Sequence, residues 1–270
     1  MKATVFSYTR LSTFDQCQHR YVERYVRNHV PRHDTIEAFV GKRVHEVVEA
    51  IERGTLTSSL HDVWRHYLES WTREYHSGIV DVRRSGHDYW RDYGQRCVAR
   101  YLESARVPEG WELVGVEHKL GAPLLDQPMA SFIGVLDRLI RRGDEHVVQD
   151  FKTGKKPKAR YFLEDHQLPV YSRLVVHNHG LDPDVRMRCE RIYLAHGESH
   201  ELVVDRACRD ASWWWAQHTA IEALVLEEEL HLGRRVPTAR QRPLCDWCAY
   251  KKGERCPVWA LSLPAAKGIM

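Results

Sequence analysis

Apolar residues recur every three or four positions up to about residue 106, and past Pro108 and Gly110 the interval changes to two. Helices repeat every 3.6 residues and strands every two, so this chain has to set a helical region against a sheet. Ile36, Val40, Val44, Val47, Val48 and Ile51 mark a helix that Gly54 can end in a left-handed cap. Phe14, Cys17, Tyr21 and Tyr25 mark an earlier helix over about 12–27, with Ser12 and Asp15 as a capping box and Pro31 as the interruption. Stretches at about 59–77 and 86–106, rich in Trp, Tyr, Arg and Glu, complete a helical wall.

Beyond the switch, strands are predicted at about 112–120, 131–141 and 146–152, linked closely enough for an antiparallel meander. A helix over 161–179, kinked by Pro169 and closed by Gly180, should lead to strands near 188–195 and 200–205 and a long helix over about 209–231. Three segments follow: a helical region 1–110, a mixed α/β core 111–232 and a cysteine-bearing tail 233–270.

With 270 residues, 43% hydrophobic and 29% charged, the chain can bury a sizeable core. Its 40 Lys+Arg nearly balance 37 Asp+Glu, so net charge does not announce a nucleic-acid partner and local distribution must. The N-terminus lacks a signal-like apolar run and no segment approaches ~18 consecutive apolar residues, which excludes a spanning helix and leads us to expect a cytoplasmic protein. Seven cysteines in that setting point to metal ligation or buried thiols rather than disulfides.

Strand periodicity places Asp150 and Lys152 on one face, roughly 7 Å apart along the backbone. Asp137 arrives on the neighbouring strand, with Gly134 leaving room for close approach. Two carboxylates on adjacent strands can share one divalent cation, and phosphodiester hydrolysis needs such an ion to neutralise phosphoryl oxygens and activate water. Lys152 would orient that water or stabilise developing charge. His45 adds a nitrogen donor that makes Mn2+ more acceptable, and Gly41, one turn earlier, keeps that helix face slim. Taken singly, each piece also has a structural reading, since a strand-end Asp–Lys pair is usually a solvated ion pair contributing about 0–1 kcal/mol.

The ordered set Gly41-x3-His45, Gly134-x2-Asp137, Asp150-x-Lys152 and Gln167-x3-Tyr171 resembles the PD-(D/E)xK nucleases of the RecB-like exonuclease branch, over most of the chain. The resemblance implies a restriction-endonuclease-like mixed β-sheet core flanked by helices. It also implies Mg2+ or Mn2+ bound by His45, Asp137, Asp150 and the backbone carbonyl of Phe151, with Lys152 as catalytic lysine and Gln167 and Tyr171 supporting the site. Glu117 stands where that branch often has an acidic residue ahead of the second motif. Lys155, Lys156, Lys158 and Arg160 follow the catalytic strand directly and suit a DNA phosphate clamp, although a solvated basic loop would read the same.

Cys245-x2-Cys248-x7-Cys256 gathers three thiolates, and Cys17 can supply a fourth, tying the first helix to the tail. Spacing alone accepts zinc or an iron-sulfur cluster. The resemblance implies a [4Fe-4S] cluster, here with a last gap longer than the usual five residues. Cys97, Cys189 and Cys208 are expected to pack as small buried groups. Trp213, Trp214 and Trp215 tempt a base-stacking reading, but three successive helix positions cannot share one face.

The function so implied is a metal-dependent DNA exonuclease acting on single-stranded DNA or duplex ends, with a helicase, recombinase or integrase as partner. One alternative is a CRISPR-adaptation nuclease trimming spacer precursors beside an integrase. Another is an inert DNA-binding module, against which the intact Asp137, Asp150 and Lys152 argue.

Overall fold

The computed structural model describes residues 4–29, 34–125, 130–251 and 256–258, so Pro31 and its expected interruption lie outside the described residues. The chain opens with β1 (Thr4–Phe6) and α1 (Tyr8–Gln16), then α2 (Gln18–Tyr21) and a π-helical turn, Val22–Val26. The first helix therefore starts earlier than its expected boundary. Ser7 caps it by accepting from the Arg10 N–H, whereas Ser12 merely donates to the Thr9 carbonyl, and the extended backbone of Cys17 divides the helix in two.

The helical wall comprises α3 (Ile36–Glu52), α4 (Leu60–Glu74) and α5 (His87–Ser104), with a small parallel pair of β2 (Asp34–Thr35) and β3 (Ile79–Val80) beside it. Thr35 caps α3, and Gly54 adopts the left-handed conformation (φ +69°) expected of it. The apolar stripes of the three helices close on Tyr67, Trp71, Trp90, Val98 and Tyr101, each almost wholly buried.

The sheet contains β4 (Glu112–Pro123), β5 (Ala130–Arg142), β6 (Glu145–Lys152), β7 (Met187–Tyr193) and β8 (Glu198–Val204). β4, β5 and β6 form the expected antiparallel meander. The crossover α6 (Ala159–Leu163) and α7 (Gln167–His179) brings β7 in parallel to β6, and β8 returns antiparallel. β4 takes one edge of β5, while β6 and the short parallel β1 share the other. The long α8 (Arg206–His231) follows, and the tail holds a 3-10 turn, Pro243–Trp247.

Two expectations need correction. The helix over 161–179 is two helices, and Pro169 does not kink the second: it is the third residue of α7, where a missing N–H forfeits no intrahelical bond. β1 was not expected, because three residues are too few to show a period.

The sheet divides two cores. On one side α1, α7 and α8 pack over Phe132, Leu136, Leu139 and Val148; on the other the helical wall receives Phe151 and Leu194. The alternation of β6 thus turns the Phe151 ring toward the helical wall and its neighbours Asp150 and Lys152 the opposite way. A buried polar chain stitches wall to sheet: Arg138 donates to Glu52 (2.6 Å) and to Gln149 (2.6 Å), Gln149 donates to Glu190 (2.6 Å), and the Tyr101 hydroxyl donates to Glu52. Among the described residues no helix is long and apolar enough to cross a membrane.

Candidate metal centre and active site

Three elements converge where the paired β4 and β5 run past the end of the β5–β6 pairing. α3 presents His45, and the β4–β5 register, with Val116 opposite Arg138 and His118 opposite Leu136, sets Glu117 across from Asp137. Donor atoms of His45, Glu117 and Asp137 all lie within 4.8 Å of one another. His45 Nδ1 stands 3.6 Å from a carboxylate oxygen of each acid. Its Nε2 lies 3.1 Å from the Phe151 carbonyl, so a proton there is donated to the backbone and leaves the Nδ1 lone pair facing the carboxylates. The Phe151 N–H in turn donates to Asp137 at 2.6 Å. Glu117 holds φ at +44° inside a strand, a conformation that costs a non-glycine residue on the order of 1–3 kcal/mol and concentrates at functional sites.

Burial and charge act in opposite directions across the cluster. Burial pushes the Asp137 carboxyl up to about 6, and nearby Asp150 adds to the rise against the opposing pull of His45 and Lys152. For His45, burial favours the neutral ring, yet Glu117 and Asp137 outweigh it and raise the pKa. Two acids crowding one imidazole favour a cation, either a proton or a metal ion.

Asp150 sits just behind, on the face shared with Lys152 as expected. It is not a solvated ion pair: Asp150 is 3% exposed and accepts from Lys152 Nζ at 2.7 Å and from Arg191 Nε at 2.9 Å. Burial would raise its pKa, but Lys152 and Arg191 hold the carboxyl below the usual range, while Asp150 and Asp137 keep Lys152 protonated against its own burial. Arg191 also reaches Asp165 (2.9 Å) and Gln167 Oε1 (3.0 Å), and Gln167 Nε2 lies 3.4 Å from the Tyr171 hydroxyl. Gln167 and Tyr171 are thus linked to Asp150 through an arginine that spacing did not single out. Its signal was an Arg at an inward position of β7, whose burial alternates from Met187 to Tyr193. Gly134 makes its room for α7, since a Cβ there would lie 2.6 Å from Leu174 Cδ1 and 3.0 Å from Tyr171 Cε1. The cluster opens into a cleft of about 930 Å³.

The PD-(D/E)XK nuclease superfamily model matches residues 5–257. This chain belongs to the PD-(D/E)XK nuclease superfamily. No curated protein sequence matches this nuclease-superfamily chain. Among solved structures it is similar to the "Putative exonuclease" of Eubacterium rectale, with 11% identity, a TM-score of 0.52, and coverage of 98% of this chain and 90% of the other. That likeness is one of fold.

The remaining predicted positions of this PD-(D/E)XK nuclease fall outside the cluster. Lys155, Lys158 and Arg160 are exposed beyond β6, Lys156 pairs with Glu198 at 3.2 Å, and Arg160 donates to Tyr161. Cys17 divides α1 from α2, and its neighbours Gln18 and His19 bond to Thr238 in the tail. Burial raises the Cys248 thiol, with Cys17 and Cys245 close enough to add to the rise. No three cysteines offer sulfurs all within 4.8 Å of one another among the described residues, and Cys256 is half-buried. Cys97 and Cys189 are buried as expected, whereas Cys208 is half-buried. Trp213 packs against Phe132 in the core, Trp214 is 64% exposed, and Trp215 stacks on His166.

Proposed function

We propose that this PD-(D/E)XK nuclease is a divalent-metal-dependent deoxyribonuclease that hydrolyses single-stranded DNA or DNA ends. The observation that carries the reading is the convergence of His45, Glu117 and Asp137, with Lys152 lining the same cleft. The donor set suits Mg2+ or Mn2+, carboxylates serving both and the imidazole widening the choice toward Mn2+. When bound, that ion supplies positive charge to the phosphoryl oxygens and a nucleophilic water.

The chain's own residues do the rest. Asp137 and Glu117 would hold the ion, and the Phe151 carbonyl fixes the ring of His45 so that Nδ1 would be its donor. Lys152, kept charged by Asp150, stabilises negative charge on the phosphoryl group. Arg191 holds Asp150, Asp165 and Gln167 in fixed relation, so the ammonium is positioned before substrate arrives. Lys155, Lys158 and Arg160 take the phosphates of the strand beyond the cleft. The name of the Eubacterium rectale neighbour favours end-dependent cutting.

A second reading concerns Cys17, Cys245, Cys248 and Cys256, which we assign to a [4Fe-4S] cluster closing the tail on the first helix. Zinc with Zn–S bonds of about 2.3 Å sets tetrahedral thiolates about 3.8 Å apart. Four thiolates also serve a [4Fe-4S] cluster, and the metal content of the purified protein decides between the two. Protein purified without oxygen should be brown and contain iron; a colourless zinc protein overturns the assignment.

The nuclease reading is tested with end-labelled single-stranded DNA and Mg2+ or Mn2+, beside chelator and Asp137→Asn controls. Linear DNA should be degraded and circular DNA spared. Hydrolysis that survives both the chelator and Asp137→Asn overturns the metal centre.

A further inference from the structure

Next to the metal cleft lies a smaller cavity of about 180 Å³, walled by the helical region. Tyr89, Trp90 and Tyr93 come from the first turns of α5, Arg83 from the loop before it, Glu37 from α3 and Lys155 from the segment after β6. Glu37, Thr153 and Gly154 line this cavity and the metal cleft alike, so the two are contiguous. The Tyr93 hydroxyl donates to the Thr153 carbonyl at 2.5 Å, which fixes the aromatic wall to the segment that follows Lys152.

One buried polar atom in this wall has no partner among the described residues, the indole Nε1 of Trp90, whereas the Glu37 carboxylate accepts from Trp247 Nε1 at 3.2 Å and faces Arg83 Nε at 3.5 Å. Leaving a buried indole N–H unmade is uncommon in a folded chain, and a ligand acceptor beside it would remove the cost. The aromatic rings add flat surface. Tyr89 is 47% exposed, and its ring and that of Tyr93 lie 28° apart in plane with centroids 6.2 Å apart. Lys155 adds a cation, and Arg83, 5.9 Å from the Trp90 ring centroid, adds one that Glu37 faces at 3.5 Å.

A nucleobase combines these demands: two π-faces, an edge carrying donors and acceptors, and an attached phosphate that seeks a cation. The cavity is smaller than the roughly 300 Å³ at which pockets for drug-sized ligands begin, so it takes one ring system rather than a base pair. We propose that this cavity seats one unpaired base of the substrate strand beside the phosphodiester at the metal centre and so selects single-stranded DNA. The inference rests on the nuclease reading above. A base enters only when splayed out of its stack, which a duplex resists.

The test compares initial rates in Mn2+ on a single-stranded oligonucleotide and on copies in which an abasic residue replaces one nucleotide at each position near the end. Stacking energies imply that one position slows the wild-type protein between about fivefold and about a hundredfold. Tyr89→Ala, at a half-exposed ring, should erase that penalty, and Trp90→Phe, which removes only the indole N–H from an aromatic position, should reduce it. Trp214→Ala, exposed on α8 away from both cavities, should keep the wild-type penalty. A 2-aminopurine at the sensitive position should be quenched on binding in Ca2+ and recover in Tyr89→Ala. Equal rates at every abasic position, or a penalty unchanged in both cavity variants, overturns the base seat while leaving the nuclease reading intact. Hydrolysis of neither strand in Mg2+ or Mn2+ overturns both.

Discussion

Glu117, whose carboxylate converges with His45 and Asp137, sits on a strained backbone. At φ +44° an L side chain crowds its own carbonyl by on the order of 1–2 kcal/mol, a penalty that glycine escapes. Glu117→Gly and Glu117→Ala both delete the carboxylate, so both should lose metal-dependent hydrolysis. They should differ in folding: denaturant melts should find the glycine variant more stable by roughly 1–2 kcal/mol. An alanine variant as stable as the glycine one contradicts the strain assigned here. The placement of Asp150 and Lys152 on one face of β6 was legible in sequence, because strand alternation fixes which face each occupies. The partner that organises Asp150 was not, since Arg191 is 41 residues away and reaches it only when β7 docks parallel to β6.

Among elements, the joint between α3 and the sheet depends on Arg138, 1% exposed and paired with Glu52. Breaking a buried ion pair by removing one partner strands the other charge, which typically costs about 3–5 kcal/mol. Arg138→Ala should therefore lower unfolding free energy by roughly that amount and loosen α3, and His45 with it. A loss below about 1 kcal/mol, within the range of exposed pairs, would show that the joint is solvated. The strands from β4 to β8 were legible to within about three residues, because alternation is sustained where one face is buried. β1 was not, since its three residues gain meaning only from pairing with β5. Pro169 misled for a related reason: a proline stops a helix only if its position within the helix is interior, and only the break after Leu163 makes it a first-turn residue.

Across the molecule, two long-range closures share the N-terminal helices. One sets α1 and α2 against α8 through Arg10 and Tyr21, both bonded to Glu227; the other bonds His19 and Gln18 to Thr238 in the tail. If the second closure carries a metal cluster, Cys17→Ser and Cys248→Ser should bleach the visible absorbance alike and lower the melting temperature alike, because each opens the same loop. Loss in one variant alone would assign the cysteines to separate roles. Metal-dependent hydrolysis, as proposed, depends most on the site where α3, β4 and β5 meet. Mn2+ binding followed by electron paramagnetic resonance on purified protein tests it directly: the wild type should hold one site per chain, and Asp137→Asn should weaken it at least tenfold. Mn2+ affinity unchanged in both Asp137→Asn and His45→Ala would contradict it.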